Sequence, residues 1–407
     1  MRSSVLEEFR SKNPQSAKFF DRAKQVLPGG QTRSVTHYEP FPVILNQGSG
    51  GFVVDVDGHE YIDVLNNYTS LVHGHTFAPV VSAVEALLKN GGVAFPSVHE
   101  HQIRLAEILS DRIVAAERVR FTNSGSEAAA LAARIARHVT GRREIVMAQH
   151  GYHGSVPPFS EALQPNVVRV PYNDLAAMQE ALSERTAAVV LEPFQGAGGV
   201  VPGDAEYLQA TQNAAAKAGA LFILDEVQSL RNNYQGAQDE LGLSPDLTLL
   251  GKVIGGGYPI GAVAGQAAHL EQTSPYVPGY LGHSGTFNGH LTSVVAGAAT
   301  LEHLQPDVIQ SLNSRSKKLQ VAIEAAASEH GLPIQVNRAG SIMNVHPLGN
   351  VDAEVFYSTL HLSLLLEGIY AAPRGLLNLS TVLDEGILRQ VAEGYRKAFD
   401  RTAAELQ

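Results

Sequence analysis

The chain has 407 residues, of which 44% are hydrophobic and 17% charged, and its formal net charge is −10. This length allows two domains with a large apolar core, and an acidic chain without basic tracts argues against a nucleic-acid partner. The absence of cysteine excludes disulfide bonds, thiolate metal sites and a cysteine nucleophile, and it fits a reducing cytoplasm.

The first segment predicts a polar helix from about Leu6 to Val26 that stops at Pro28-Gly29-Gly30. It lacks an apolar core of signal-peptide length, and no run of about 18 apolar residues occurs anywhere. We therefore expect a cytoplasmic protein without a membrane span. Arg33 follows the glycines, and from this stretch alone a surface arginine is the simpler interpretation.

Alternating residues around an Asp57-Gly58 turn predict a β-hairpin between Gly51 and Asp63. Two histidine pairs lie nearby in sequence, His73-Gly74-His75 and His99-Glu100-His101. Neither has the spacing of a helical two-histidine site, and neither has an obvious third ligand. We therefore expect no metal site.

A candidate phosphate site is the segment Ser124-Gly125-Ser126, which lies between a short strand and an alanine-rich helix that runs from Glu127 to about His138. Gly125 would let the backbone approach a ligand closely, and Ser126 could cap the helix and offer a hydroxyl. The free N–H groups at a helix start favour an anion. An ordinary helix cap would explain the serine equally well.

Four apolar runs that are separated by predicted helices indicate the βαβ rhythm of a doubly wound sheet. They are Arg143–Met147, Thr186–Pro193, Leu221–Val227 and Leu247–Lys252. The first leads to Tyr152, which stands among glycines and could lie flat against a ring or on the surface. The other three end in Glu192, Asp225 and Lys252, so these charges are expected where buried strands emerge.

Asp225 and Lys252 suggest a specific chemistry, because ligands of open α/β sheets bind at the carboxyl ends of the strands. Pyridoxal 5'-phosphate (PLP) requires a lysine for its Schiff base and a carboxylate that keeps its ring nitrogen protonated. The hypothesis is that Lys252 is the Schiff-base lysine and Asp225 the partner of the ring nitrogen. Either residue alone would be interpreted as a solvated loop charge.

The rest of the chain changes character at about Val294, where amphipathic helices with sparse strands begin. Before that point, Gly282–Gly289 offers a second possible anion cradle. We predict an N-terminal segment at 1–45, a large domain at 46–293 and a small domain at 294–407. Arg374 lies in the small domain between Pro373 and Gly375, where a loop arginine is the simpler interpretation.

The ordered motifs resemble those of class III, fold-type I PLP-dependent aminotransferases from about Asn13 to the C-terminus. They are Asn123-Ser124-Gly125-Ser126-Glu127-Ala128, Tyr152-His153-Gly154, Glu192-Pro193, Asp225-Glu226-Val227, Gly251-Lys252 and Gly285-Thr286-Phe287-Asn288. The resemblance implies an α/β fold with a large domain, whose mostly parallel seven-stranded sheet lies between helices, and a smaller α+β domain.

The resemblance also implies roles for individual residues. Ser124, Gly125 and Ser126 would bind the phosphate. Tyr152 would stack on one ring face and Val227 would pack on the other, with His153 and Glu192 close to the ring. Thr286 would reach the phosphate of a neighbouring subunit, which implies a homodimer with shared active sites.

Within the family, Pro28-Gly29-Gly30 through Arg33 resembles both glutamate-1-semialdehyde aminomutase and the β-phenylalanine aminotransferases. Arg33-Ser34-Val35, Phe41-Pro42, His283–Asn288 and Pro373-Arg374-Gly375 favour the second group, with Arg33 and Arg374 as carboxylate-binding residues. Two departures occur. Many ω-aminotransferases have, at the position of Ala197, a glutamate that pairs with a mobile arginine. The segment Gln228–Arg231 stands where the family often has Thr-Gly-Phe-Arg.

Three functions remain open at this stage. The first is a transaminase that moves the amino group of a β-amino acid, with an aromatic side chain, to an α-keto acid such as 2-oxoglutarate or pyruvate. The second is glutamate-1-semialdehyde 2,1-aminomutase, which needs no second substrate. The third is an inactive binding protein with this fold, against which the retention of Lys252 and Asp225 argues.

Overall fold

The computed structural model describes residues 4–160 and 165–406, which form two compact units. One unit joins the residues up to Phe77 with those from Ser311 onward, and the other covers Ala78–Gln310. These limits differ from the predicted boundaries at 45/46 and 293/294. The hairpin at 51–63 pairs with a strand at 369–370, and the helix Leu291–His303 packs on the helices Ala78–Asn90 and Glu100–Arg112.

The helices and strands are numbered here in chain order. The first unit begins with α1 Ser4–Lys12, α2 Pro14–Lys24, β1 Leu45–Ser49, β2 Phe52–Asp55 and β3 Glu60–Asp63. The second unit contains α3 Ala78–Asn90, α4 Glu100–Arg112, β4 Arg118–Thr122, α5 Gly125–Thr140, β5 Glu144–Ala148, β6 Val167–Val170, α6 Leu175–Ala181, β7 Thr186–Leu191, β8 Phe194–Gln195, β9 Val201–Pro202, α7 Ala205–Ala218, β10 Leu221–Asp225, α8 Ala237–Glu240, β11 Leu247–Gly251, β12 Gly261–Gly265, α9 Ala267–Leu270 and α10 Leu291–His303. The chain then continues through α11 Pro306–Glu329, β13 Ile334–Ala339, β14 Ile342–Pro347, α12 Ala353–Leu366, β15 Ile369–Tyr370, β16 Leu376–Asn378 and α13 Glu385–Leu406.

The N-terminal helix is broken, so the prediction of one helix from Leu6 to Val26 was wrong. α1 ends at Lys12 and α2 begins at Pro14, with Asn13 between them in a non-helical conformation. Proline lacks an N–H and disfavours a helical residue before it, which explains the break. The buried Asn13 side chain donates to the Phe9 carbonyl at 2.8 Å, and Asp57 accepts from the N–H groups of Gln15 and Ser16.

The second unit is built on a seven-stranded sheet in the order β4-β12-β11-β10-β7-β5-β6. β11, β10, β7, β5 and β6 pair in parallel, and β12 runs antiparallel to both of its neighbours. Every residue of β7, β10 and β11 is buried, as expected for strands covered on both faces. The predicted mostly parallel α/β sheet is therefore confirmed.

Helices cover this sheet with small apolar side chains. α5 contributes an alanine-rich face, with Ala128, Ala132 and Ala136 fully buried against strand residues such as Val190. Alanine favours the helix and lets it lie close to the sheet. The N-terminus of α5 is thereby fixed next to the carboxyl ends of the parallel strands, because α5 contacts β7, β11 and β12.

The first unit contains a four-stranded sheet, β1-β2-β3-β15, and a three-stranded sheet, β13-β14-β16. The predicted hairpin is confirmed, since β2 and β3 pair antiparallel. A core around Phe9, Phe41, Tyr61 and Leu365 joins the N-terminal helix to α12. Among the described residues, no helix is both long enough and apolar enough to cross a membrane.

Candidate active site

The carboxyl edge of the seven-stranded sheet brings three predicted site residues onto neighbouring strands. β7, β10 and β11 are adjacent and parallel, and Leu224 aligns with Leu191 while Asp225 aligns with Leu249. Glu192 follows β7, Asp225 ends β10, and Lys252 comes directly after β11. The spacing of strand-ending charges thus predicted a real cluster.

Asp225 is buried and its carboxylate is held by two donors. Its Oδ2 lies 2.8 Å from His153 Nδ1, and its Oδ1 accepts from the Val227 N–H at 3.0 Å. Burial opposes protonation of His153, but the hydrogen bond to Asp225 and the nearby carboxylates raise its pKa. His153 Nε2 is buried and has no partner among the described residues. These two contacts therefore fix the position of the Asp225 carboxylate at the end of β10.

Glu192 lies close to this pair and is also buried. Its Oε1 accepts from the Gly196 N–H at 3.0 Å and its Oε2 from the Tyr152 N–H at 3.1 Å. Burial raises the pKa of Glu192 to about 7, and the charge of Asp225 acts in the same direction, while His153 and the two N–H donors act against it. Glu192 can therefore gain or lose a proton near neutral pH.

Lys252 combines an unusual backbone with a shifted pKa. Its φ is 48°, in the left-handed region that residues other than glycine rarely adopt. Burial lowers the pKa of the Lys252 ammonium, against the attraction of Asp225 and Glu192. A lowered pKa enriches the neutral amine, which is the form that acts as a nucleophile or base.

The N-terminus of α5 carries the segment that was predicted to bind a phosphate. Ser124 caps the helix, since its side chain accepts from the Glu127 N–H at 3.2 Å. The N–H groups of Gly125 and Ser126 have no acceptor among the described residues. Ser126 Oγ accepts from the Ser155 N–H, and a Cβ on Gly154 would stand 2.4 Å from that oxygen, so Gly154 has to be glycine.

Val227 packs between two glycines of this edge. A Cβ on Gly125 would lie 3.2 Å from Val227 Cγ2, and one on Gly251 would lie 3.3 Å from Val227 Cγ1. An apolar surface is therefore fixed between the cradle and the lysine strand. Tyr152 has a side chain that is 53% exposed, which leaves its ring available for stacking.

Thr286 lies in an exposed loop, and this loop is tied to the cradle through its neighbour Asn288. Asn123 Nδ2 donates to Asn288 Oδ1 at 3.1 Å, and Arg120 donates to the His283 carbonyl at 2.8 Å. Thr286 itself makes no hydrogen bond to the cradle among the described residues. Its predicted role across a dimer interface therefore stays a prediction.

Arg33 and Arg374 belong to the first unit, and both are exposed. Arg33 Nη1 donates to Asn67 Oδ1 at 3.0 Å, and its Cζ lies 5.6 Å from the centroid of the Tyr68 ring. Arg374 has no ion pair with any described residue. Burial raises the pKa of Tyr68, and the charges of both arginines act against that shift, so both lie near this tyrosine.

The histidine pairs have structural partners. His99 begins α4 as its capping residue, with Nδ1 accepting from the His101 N–H at 3.3 Å. Its ring nitrogen, the Glu100 carboxylate and a His101 ring nitrogen lie within 4.8 Å of one another. His75 Nε2 lies 2.7 Å from Asp63 Oδ2. His99 and His75 thus each have a hydrogen-bonding role within the fold.

The unexplained segment Gln228–Arg231 supports a buried acid. Ser229 Oγ donates to the Glu226 carboxylate, which also accepts from the N–H groups of Ala237 and Gln238. Burial raises the pKa of Glu226, and these donors oppose that shift. Sequence reasoning missed this network because its partners follow a turn whose path could not be predicted.

These residues fit PLP. The free N–H groups at the start of α5 suit a phosphate dianion, and Gly154 packs against Ser126 so closely that a side chain at 154 would collide with it. Val227 offers an apolar surface beside the cradle. The buried Asp225–His153 pair suits a protonated ring nitrogen, and Lys252 suits an aldehyde.

Comparison with known proteins supports the same interpretation. The family model for aminotransferase class-III matches residues 34–382. The chain is 37% identical over 410 residues to the beta-phenylalanine transaminase of Variovorax paradoxus, covering 96% of this chain and 94% of the relative. It is 32% identical over 419 residues to glutamate-1-semialdehyde 2,1-aminomutase 2 of Bacillus licheniformis, covering 94% and 96%. A solved structure described as a transaminase with PLP bound matches with a TM-score of 0.92 at 33% identity, covering 97% and 99%.

Proposed function

This chain belongs to the class-III aminotransferase family and is a PLP-dependent transaminase, and we propose that its amino donor is a β-amino acid with an aromatic side chain. The proposed acceptor is an α-keto acid such as 2-oxoglutarate or pyruvate. Likeness to the beta-phenylalanine transaminase over nearly the whole chain supports this donor. The family assignment sets aside the alternative of an inactive binding protein.

One observation carries the choice of a carboxylate-bearing donor. Arg33 and Arg374 are exposed, lie near Tyr68, and form no ion pair with a described carboxylate. A guanidinium offers paired N–H donors that match a carboxylate. We propose that Arg33 binds the carboxylate of the β-amino donor and that Arg374 binds the carboxylate of the keto acid. Ala197 cannot pair with an arginine, so no glutamate gate of that kind operates at this position.

PLP, when bound, supplies an electron sink that makes loss of a proton from the substrate carbon feasible. Ser124, Gly125 and Ser126 would hold its phosphate, and Val227 and Tyr152 would contact the ring. Asp225, fixed by His153, keeps a negative charge where the protonated ring nitrogen would lie. Glu192 would lie close to the ring as a further carboxyl group.

Lys252 would hold the aldehyde and then act on the substrate. Its lowered pKa enriches the neutral amine, whose Nζ could accept the proton from the substrate carbon and deliver it to the carbon that was the cofactor's aldehyde. The half-buried position of Lys252 also limits competing proton exchange with water. The left-handed backbone at Lys252 fixes where the side chain leaves the strand end.

We also propose that the active unit is a homodimer in which Thr286 binds the phosphate held by the partner subunit. The exposed position of Thr286 and the Asn123–Asn288 hydrogen bond support this role. Dilution to monomer should then release cofactor and activity together. Sedimentation with detection at the cofactor's absorbance would show this, and an active monomer would contradict it.

The donor assignment is tested with a panel of amines. Aromatic β-amino acids, α-amino acids and amines without a carboxylate are each offered with 2-oxoglutarate or pyruvate, and the keto product is measured. Aromatic β-amino acids should give the highest kcat/KM. A clear preference for α-amino acids would contradict the proposal.

The aminomutase stays the second candidate, since the chain is 32% identical to the Bacillus licheniformis enzyme over nearly its full length. It differs from the first candidate in one measurable requirement. An aminomutase converts glutamate 1-semialdehyde without any keto acid acceptor. Such conversion at a rate above that with β-amino donors would establish this alternative.

A further inference from the structure

A turn of unusual handedness follows β3 in the first unit. Asn66, Asn67, Tyr68 and Thr69 have φ values of 47°, 47°, 55° and 76°. Four consecutive residues other than glycine in the left-handed region are unfavourable, because the Cβ of each lies too close to the following carbonyl oxygen. Asparagine tolerates this region, but tyrosine and threonine do not adopt it readily. Such strain persists only where surrounding contacts hold the backbone, and it is typical of functional segments.

Compensation comes from buried side chains on both sides of the turn. Asp63 Oδ1 accepts from the N–H groups of Leu65 and Asn66, both at 2.8 Å. Asn66 Nδ2 donates to the Asn378 carbonyl at 2.9 Å, and Asn378 Nδ2 donates to the Leu65 carbonyl at 2.7 Å. The chain is thus held at its entry to the turn by a residue more than 300 positions away in sequence.

The middle of the turn presents two side chains to Arg33. Asn67 Oδ1 accepts from Arg33 Nη1 at 3.0 Å, and the Tyr68 ring lies beside the guanidinium. The Asn67 amide is itself oriented, because its Nδ2 donates to Ser70 Oγ at 3.1 Å. Tyr68 OH donates to the Val35 carbonyl at 2.9 Å, which ties the turn to the segment that carries Arg33.

We infer that Asn67 and Tyr68 are positioning residues that orient Arg33 for the carboxylate of the amino donor. Only one N–H of the guanidinium is used by Asn67, and the others stay available for a carboxylate. A neutral amide orients the guanidinium without cancelling its charge, which an aspartate at this position would do. An exposed arginine would otherwise sample many rotamers, so holding it lowers the entropy lost on binding. This inference rests on the proposed function, and it assigns to Asn67 and Tyr68 a part in the selection of a donor that carries a carboxylate.

The test uses Asn67→Gly, because glycine adopts the left-handed conformation without strain and the variant should fold at least as well as the wild type. The holoenzyme is titrated calorimetrically with 3-phenylpropanoate, which carries the carboxylate and aromatic ring of the donor but no amine. Binding should weaken by roughly 10- to 150-fold, as for loss of one hydrogen bond to a charged group. Single turnover of 1-phenylethylamine, which has no carboxylate, should be unchanged.

Two further variants separate positioning from general damage. Asn67→Asp keeps the hydrogen bond and tolerates the backbone, but it neutralises Arg33, so 3-phenylpropanoate should bind more weakly still. Adding Asn67→Gly to Arg33→Ala should cause no additional loss, because the two residues act through one contact. Equal losses with 1-phenylethylamine would indicate a structural role and overturn the inference.

Failure of the inference and failure of the proposed function give different results. If Arg33→Ala weakens 3-phenylpropanoate binding and Asn67→Gly does not, the inference is wrong and the proposed donor stands. If the wild type neither binds 3-phenylpropanoate nor accepts β-phenylalanine, the proposed donor is wrong and the inference falls with it.

Discussion

The carboxyl edge of the seven-stranded sheet and the segment around Arg33 both position charge, but they do so in opposite ways. At the sheet edge, Asp225, His153 and Glu192 are buried, and the charge of Asp225 raises the pKa values of His153 and Glu192. Around Arg33 the charge is exposed, and a strained turn with a neutral amide holds it. Burial shifts the pKa values of groups that exchange protons. An exposed arginine, in contrast, keeps its positive charge and can bind a carboxylate.

The largest expected effect is at the buried edge. Lys252→Ala should abolish turnover, since Lys252 is the lysine that comes directly after β11, and should leave the chain folded. The loss should be many orders of magnitude, because both nucleophile and base are removed. Steady-state assays would measure it, with Lys217→Ala, an exposed lysine of α7, as the control. Wild-type rates in Lys252→Ala would refute the assignment.

Asp225→Asn should come next, with a loss of several orders of magnitude in kcat. A neutral amide cannot keep the ring nitrogen protonated, and it also changes the contact with His153. Cofactor content is measured by absorbance in the same samples. Bound cofactor together with near-normal turnover would show that the charge of Asp225 is dispensable.

Arg33→Ala tests the exposed side of the comparison. The half-reaction with a β-amino donor should lose roughly 2–5 kcal/mol of transition-state stabilisation, the range for truncating one partner of a charge pair at an interface. The half-reaction with the α-keto acid should lose much less. Two single-turnover experiments measure the two halves, with Arg10→Ala on α1 as the control. Equal losses in both halves would make Arg33 a structural or shared residue.

The smallest effect concerns the stability of the buried edge. The pKa of Glu192 rises from 4.5 in the unfolded chain to about 7 in the folded protein, so its contribution to stability is complete below pH 4.5 and is lost as the pH rises through about 7. The loss amounts to about 3 kcal/mol. Urea unfolding of the cofactor-free wild type and of Glu192→Gln is measured from pH 4 to pH 8. The free energy of unfolding of the wild type should fall relative to that of the variant as the pH rises. If the difference in unfolding free energy between the two proteins does not change with pH, the raised pKa of Glu192 is contradicted.

The same contrast explains how much the sequence predicts. Asp225 and Lys252 could be predicted because each follows an apolar run whose carboxyl end is fixed by the parallel sheet. The break at Pro14 is also encoded locally, because proline disfavours a helical residue before it, although the polar pattern continues across it. The left-handed turn could not be predicted, because its support comes from Asn378, and no local pattern encodes a contact over such a separation.

The domain boundaries show the same dependence on distant contacts. Composition changes at about Val294, yet α10 packs with α3 and α4 and stays with the second unit. Residues 46–77 group with the C-terminal part because β3 pairs with β15. Pairing between segments that lie far apart in sequence sets the limits of the two units. Local composition does not predict such pairing.

The most direct test of the account is rapid mixing of the wild-type holoenzyme with β-phenylalanine in the absence of a keto acid. The cofactor's visible absorbance should change in a single turnover, and 3-oxo-3-phenylpropanoate should form in an amount equal to the active sites. An α-keto acid added afterwards should restore the original spectrum. No spectral change with β-phenylalanine, together with conversion of glutamate 1-semialdehyde without an acceptor, would contradict the account.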